Sequence, residues 1–262
     1  MSIYVFVGPT LPVQEARMEL DAIYLPPASQ GDVFRVTRKK PKAIGIIDGY
    51  FESVRSVVHK EILWAMSQGI PVYGSASMGA LRAAELAAYG MRGVGKVFEA
   101  YRDGEIEDDD EVAVGHGPAE YHFLPVTDSM VNIRATLAAA ERDSIIPRAT
   151  RTELERIAKA TFYKERGYAL ILQLGSETGL RAGEIEALRE WLPHGQVDQK
   201  REDALEMLRL IRTEAPDKRK SSPICEFENS LTWQRILRGW RQPPRRTRSR
   251  RRAMPRRAKS TH

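Results

Sequence analysis

The chain has 262 residues, 42% of them hydrophobic, enough to bury a sizeable core. It contains no run of about 18 apolar residues, which excludes a membrane-spanning helix. Its single cysteine, Cys225, excludes an internal disulfide framework and a cysteine metal site.

The net charge of +6 is unevenly spread. From Lys218 to His262 there are 15 Lys and Arg against two acids, Glu226 and Glu228, a formal +13. Met1 to Asp217 hold 26 basic against 33 acidic residues, a formal −7. Basicity therefore belongs to the tail and does not direct the body toward nucleic acid. The tail's charge leaves room only for non-specific contact of that kind.

The chain opens on Ile3-Tyr4-Val5-Phe6-Val7-Gly8, which reads as a first strand and not as a secretory leader. A cytoplasmic protein is the expectation. Apolar runs at 43–48 and 71–75 read as two further buried strands, each ending in a turn residue. Helical spacing runs over 54–68, then over 77–89 up to Gly90, then over 94–102 up to Asp103-Gly104. Val112-Ala113-Val114 reads as a fourth strand. From Thr127 the pattern turns helical, with helices over 129–143, 152–163, 182–191 and 199–213; Asp198 and Thr152-Glu153 stand at capping positions. Beyond Pro216 the composition predicts disorder, interrupted by one short amphipathic piece at 231–240.

The predicted fold class is α/β. A parallel sheet flanked by helices fills the core at 1–126, an all-helical extension at 127–216 packs on it, and a disordered basic tail covers 217–262.

The feature richest in chemistry is Gly74-Ser75-Ala76-Ser77-Met78-Gly79-Ala80-Leu81-Arg82. A strand stops, small residues turn and a helix begins. Ser75-x-Ser77-x-Gly79 is one substitution away from a nucleophile elbow. There the Ser77 hydroxyl faces a ligand and the Met78 N–H faces a developing oxyanion. The alternative reading makes Ser77 a helix cap and Gly79 a packing residue. His116, between Gly115 and Gly117 at the end of the candidate fourth strand, is the best-placed base, ahead of His122. Asp48, in Ile47-Asp48-Gly49, ends a strand, where it can orient a histidine or bind a metal, the alternative being that Asp48-Gly49 is simply a turn; it is taken as the residue that orients the site. Catalytic positions are thus Ser77, His116 and Asp48. Gly8, Ser75, Met78, Gly79 and Arg82 are the expected substrate-binding positions. The acidic run 107–111 reads as a solvated loop, so no metal is assigned. Gly90-Met91-Arg92-Gly93-Val94-Gly95-Lys96-Val97 approaches a phosphate-binding loop but has Val97 where Ser or Thr is needed.

Five blocks in order resemble the TfuA-like proteins: Val5 to Leu11, Ile44 to Phe51, Lys60 to Met66, Gly74 to Leu86 and Glu107 to Gly117. The likeness spans about Ile3 to Glu141. It implies an accessory role in backbone thioamide formation on ribosomally made peptides, beside a YcaO-type cyclodehydratase. That partner would hold ATP and magnesium, so no cofactor is expected here. The resemblance further implies release of sulfide from a thiocarboxylated, ubiquitin-like sulfur-carrier protein, with the precursor peptide contacted only indirectly. Two alternatives stand beside it: a non-catalytic activator of the YcaO enzyme, and a free-standing serine hydrolase.

Overall fold

Five short strands pair in parallel in the order β2-β1-β3-β4-β5. They are β1 (Tyr4–Phe6), β2 (Ile23–Leu25), β3 (Ile44–Ile46), β4 (Val72–Ser75) and β5 (Arg92–Val94). The computed structural model describes residues 2–52, 54–215 and 223–241. β1, β3 and β4 are buried along their whole length, as parallel strands covered on both faces must be. The sequence expects these three. β2 and β5 are partly exposed edge strands, without the longer apolar runs that flank and mark the three buried strands.

One face of the sheet carries α2 (Asp32–Thr37), α3 (His59–Ser67), α4 (Met78–Leu86) and α5 (Lys96–Arg102). Phe6, Ile44, Ile46 and Val72 meet Val33, Ile62, Met66, Ala80, Ala83 and Val97 there. The other face carries α1 (Val13–Glu19) and, from far along the chain, α10 (Gln199–Glu214). Leu205, Met207, Leu208 and Ile211 of α10 cover Val5, Val7, Tyr73 and Val94. A third core lies among α6 (Met130–Arg142), α7 (Arg148–Ala160), α8 (Tyr168–Glu177) and α9 (Ala182–Gly195), centred on Ile133, Leu137, Leu154 and Leu188.

Several local expectations shift. Residues 54–58 are a turn segment, and α3 starts only at His59. Val112-Ala113-Val114 is not a strand. It follows a single 3-10 turn (Asp109–Glu111) and runs on as buried loop, because its apolar side chains pack under α6 without a strand edge to pair with. α7 begins at Arg148 after Pro147, so Thr152-Glu153 lie within the helix rather than at its cap. Asp198 does cap α10, its carboxylate accepting the Arg201 N–H at 3.1 Å. α1, α2 and α8 escape the periodicity reading.

The chain divides into two units, 1–227 and 228–262. The second contains α11 (Leu231–Arg241), the expected amphipathic piece, where Trp233 and Trp240 meet edge to face at 5.6 Å. The rest of the tail expected to be disordered, 217–222 and 242–262, lies outside the described residues. Among the described residues no helix is long and apolar enough to cross a membrane.

Candidate functional site

In this strand order the chain's direction of travel reverses between β1 and β3, and ligands of such sheets bind beyond the carboxyl ends at that point. The turns there are Gly8-Pro9-Thr10 after β1 and Asp48-Gly49 after β3. Asp48 is 1% exposed and ties the two together. Its carboxylate accepts the Gly8 N–H at 2.8 Å, the Thr10 N–H at 3.1 Å and the Thr10 hydroxyl at 2.6 Å. Gly8 has no room for a Cβ, which would lie 2.4 Å from Pro27 Cγ.

The third turn follows β4. Ser77 donates its N–H to the Ser75 carbonyl at 2.7 Å, closing a three-residue turn whose centre, Ala76, has φ +66°. A left-handed alanine costs about 1–2 kcal/mol, a strain held by surrounding structure. α4 then starts against the sheet. Gly79 packs so closely that a Cβ would sit 1.8 Å from the Ile46 carbonyl oxygen, and its N–H donates to the Ile47 carbonyl at 3.1 Å.

Ser77 occupies the N-cap position of α4, yet its side chain makes no capping hydrogen bond. Its hydroxyl therefore keeps its hydrogen-bonding capacity for a ligand. Met78, at the first helical position, has no intrahelical acceptor for its N–H by helix geometry.

Ser77, Met78 and Asp48 line one small cleft together with His116, Asp109 and Tyr163, a cavity of about 50 Å³. One water needs about 10–15 Å³ of such space, so the cleft admits the head of a ligand and no folded segment. His116 lies in a loop pinned by the Gly117 N–H to the Leu124 carbonyl and the Val126 N–H to the Gly115 carbonyl. Its Nδ1 is 2.8 Å from the Gly117 carbonyl oxygen. A carbonyl only accepts, so the neutral ring is assigned its proton on Nδ1, and Nε2 is the basic nitrogen. Phe123 packs edge to face on the ring at 5.7 Å.

Of the residues expected to form the site, Ser77, His116, Asp48 and Met78 share this cleft. Asp48 is engaged with Gly8 and Thr10 rather than with the histidine. Ser75 is fully buried at the end of β4, its hydroxyl unpartnered, outside the lining. Gly8 and Gly79 serve backbone approach. Arg82 donates to the Val57 carbonyl at 3.0 Å and to Glu85 at 2.7 Å, away from the cleft. His122, with φ +53°, faces a separate apolar groove.

Thr10, Phe51 and Tyr163 are cleft neighbours that the sequence did not single out. Only Thr10 had a readable signal, as a hydroxyl two residues after a glycine at a strand end. Tyr163 arrives from the loop after α7, its hydroxyl donating to Glu52 at 2.9 Å. Among the described residues no three His, Cys, Asp or Glu side chains are grouped to hold a metal ion.

The near-match to a phosphate loop resolves differently from its sequence. Arg92–Val94 is a strand, β5, which the sequence reading missed. The N-terminus of α5, where a phosphate would sit, is filled by Asp203 of α10. Its carboxylate accepts the Val97 N–H at 2.8 Å, and burial pushes its pKa up to about 6. An internal carboxylate thus occupies the anion position.

Residues 48–167 match the family model described as TfuA-like protein, just under half of the chain. The match starts at Asp48 and takes in Ser77, Met78, His116 and Tyr163. No curated protein matches the chain.

Proposed function

We propose that this protein is the accessory component of a YcaO-dependent system that installs backbone thioamides in ribosomally made peptides, and that it releases sulfide from a thiocarboxylated sulfur-carrier protein. The observation that carries the reading is that Ser77, whose side chain makes no capping hydrogen bond, and His116, whose Nδ1 faces the Gly117 carbonyl and leaves Nε2 as the basic nitrogen, line one cleft inside the TfuA-like match.

In this reading Ser77 Oγ attacks the thiocarboxyl carbon while His116 Nε2 takes its proton. The Met78 N–H donates to the developing oxyanion. Collapse breaks the carbon–sulfur bond and hydrosulfide leaves with the proton from His116. Water, deprotonated by the same ring, then hydrolyses the acyl-serine. The net change is thiocarboxylate plus water to carboxylate, hydrosulfide and one proton, which His116 returns to solvent. Asp48 acts by holding the β1 and β3 turns in register. The chain itself needs no cofactor for these steps; ATP and magnesium serve the YcaO partner, which consumes the sulfide.

The carrier's tail has a natural approach along the apolar groove of about 600 Å³ that shares Pro9 with the cleft and runs between Leu25 and Leu124. Tyr121, Leu124 and Val126 stand 71%, 64% and 69% exposed on the same loop. That groove also favours a second reading, in which the protein docks on the YcaO enzyme and activates it without chemistry of its own. Mixing the purified protein with thiocarboxylated carrier and measuring free sulfide separates the two. Release that falls at least 100-fold in Ser77→Ala supports the catalytic reading. Undiminished release in a folded Ser77→Ala protein, or none from the wild type, leaves the docking reading.

A further inference from the structure

Three residues of helix-capping type precede α6, Thr127, Asp128 and Ser129, and none caps it. Thr127 accepts the Gly115 N–H through its hydroxyl at 2.6 Å. Asp128 is engaged by the backbone of Tyr168 at the start of α8. Ser129 holds the N-cap position of this 13-residue helix but makes no cap bond, and its hydroxyl is buried with no partner. The first turn of α6 is therefore left with unpaired N–H groups and the positive end of the helix dipole.

Opposite stands Lys200, in the first turn of α10 and 3% exposed. Its ammonium donates to the Val112 carbonyl at 2.9 Å and forms no ion pair with a carboxylate among the described residues. Burial pulls its pKa down, while Asp48 and Asp198 pull it up. An ammonium held out of water with one neutral acceptor is costly unless an anion completes it.

Ser129 and Lys200 line the same cavity of about 310 Å³, walled by Pro9, Val114, Pro125 and Tyr168. This volume lies within the usual range for small-molecule sites. Asp128 and Asp198 also border it. Their charge disfavours a dianion, and the apolar walls suit an organic body.

We propose that this cavity binds the carboxylate of a small organic acid, the acid group between Lys200 and the start of α6, the carbon body against Pro9, Val114 and Tyr168. The inference does not depend on the proposed sulfide release: the cavity shares Pro9 and Val114 with the cleft, but none of Ser77, Met78 and His116 lines it.

The test titrates the full chain with sodium acetate, sodium butyrate and inorganic phosphate at constant ionic strength near pH 6.5, following calorimetry and thermal unfolding. Saturable binding is expected for the monocarboxylates, tighter for butyrate than for acetate, with phosphate at least tenfold weaker. Lys200→Met should weaken butyrate at least tenfold while the unliganded protein stays as stable or becomes more so. Ser129→Ala, which keeps the lysine, should weaken butyrate about threefold or more and decides the matter if Lys200→Met does not fold. Absence of saturable binding, phosphate binding as well as butyrate, or butyrate affinity unchanged in either folded variant would overturn the proposal.

Discussion

Thr10 donates both its backbone N–H and its hydroxyl to the carboxylate of Asp48, at 3.1 and 2.6 Å. Two loops 38 residues apart in sequence are joined there, under the cleft that contains Ser77 and His116. Hydrogen bonds to a charged group contribute about 1.5–3 kcal/mol each, and an amide cannot replace all three. Asp48→Asn should lower the unfolding free energy by about 3 kcal/mol and Thr10→Val by about 1–2 kcal/mol, both read from urea titrations. An Asp48→Asn protein as stable as the wild type would mean that the carboxylate is held for chemistry alone.

Ser77 and Gly79 are two residues apart and should respond oppositely to alanine. The Ser77 side chain makes no cap bond, so Ser77→Ala should change stability by less than about 0.5 kcal/mol. Gly79→Ala places a methyl on the Ile46 carbonyl and should cost more than about 3 kcal/mol or prevent folding. Thermal melts of the two variants side by side test this. A Ser77→Ala loss of about 1–2 kcal/mol would reveal a cap after all.

Buried Glu61 accepts backbone N–H groups from Gly31, Phe34 and Val58 at 3.0, 3.2 and 3.0 Å. Burial nevertheless pushes its pKa up from 4.5 to about 7. A carboxyl raised in the folded state binds its proton more tightly there than in the unfolded chain, so its contribution is complete below pH 4.5 and is lost as pH rises through about 7. At 1.36 kcal/mol per pH unit, that loss is about 3 kcal/mol. Asp203, raised to about 6, acts in the same direction over a lower window. Denaturant unfolding at pH 4.5 and pH 8 should show a smaller drop in Glu61→Gln than in the wild type. Equal drops would place the Glu61 pKa near its ordinary value.

Leu208, fully buried where α10 lies on the sheet, has no cleft contact. Leu208→Ala should cost about 2–5 kcal/mol, with sulfide release unchanged per folded molecule. A cost below about 1 kcal/mol, measured by urea unfolding, would show that α10 is a detachable cover.

Central features of this fold are readable in the chain because they rest on local signals. Val5, Ile44 and Val72 sit in apolar runs that end in turn residues, and the helical spacing of Leu205, Leu208 and Ile211 marks α10. β2 and β5 are invisible because a three-residue edge strand such as Ile23–Leu25 is half exposed and carries no period. Val112-Ala113-Val114 misleads for the complementary reason, since burial without a pairing edge produces the same composition as a strand. At the candidate site, Ser77 and His116 stand out in the sequence by their flanking small residues, and the fold brings both to one cleft. The employment of Asp48 by Thr10, the arrival of Tyr163 and the burial of Lys200 depend on distant segments meeting, which no local pattern records.

The placement of α10 also dictates an order of events during synthesis. Val5, Tyr73 and Val94 have all been made by the time β5 is complete, but the helix that covers them comes more than a hundred residues later. At roughly 5–20 residues per second on the ribosome, one side of the sheet waits on the order of 10 s for its lid. Nascent chains stalled before residue 199 should therefore be bound by hydrophobic-surface chaperones and released once residue 214 has emerged.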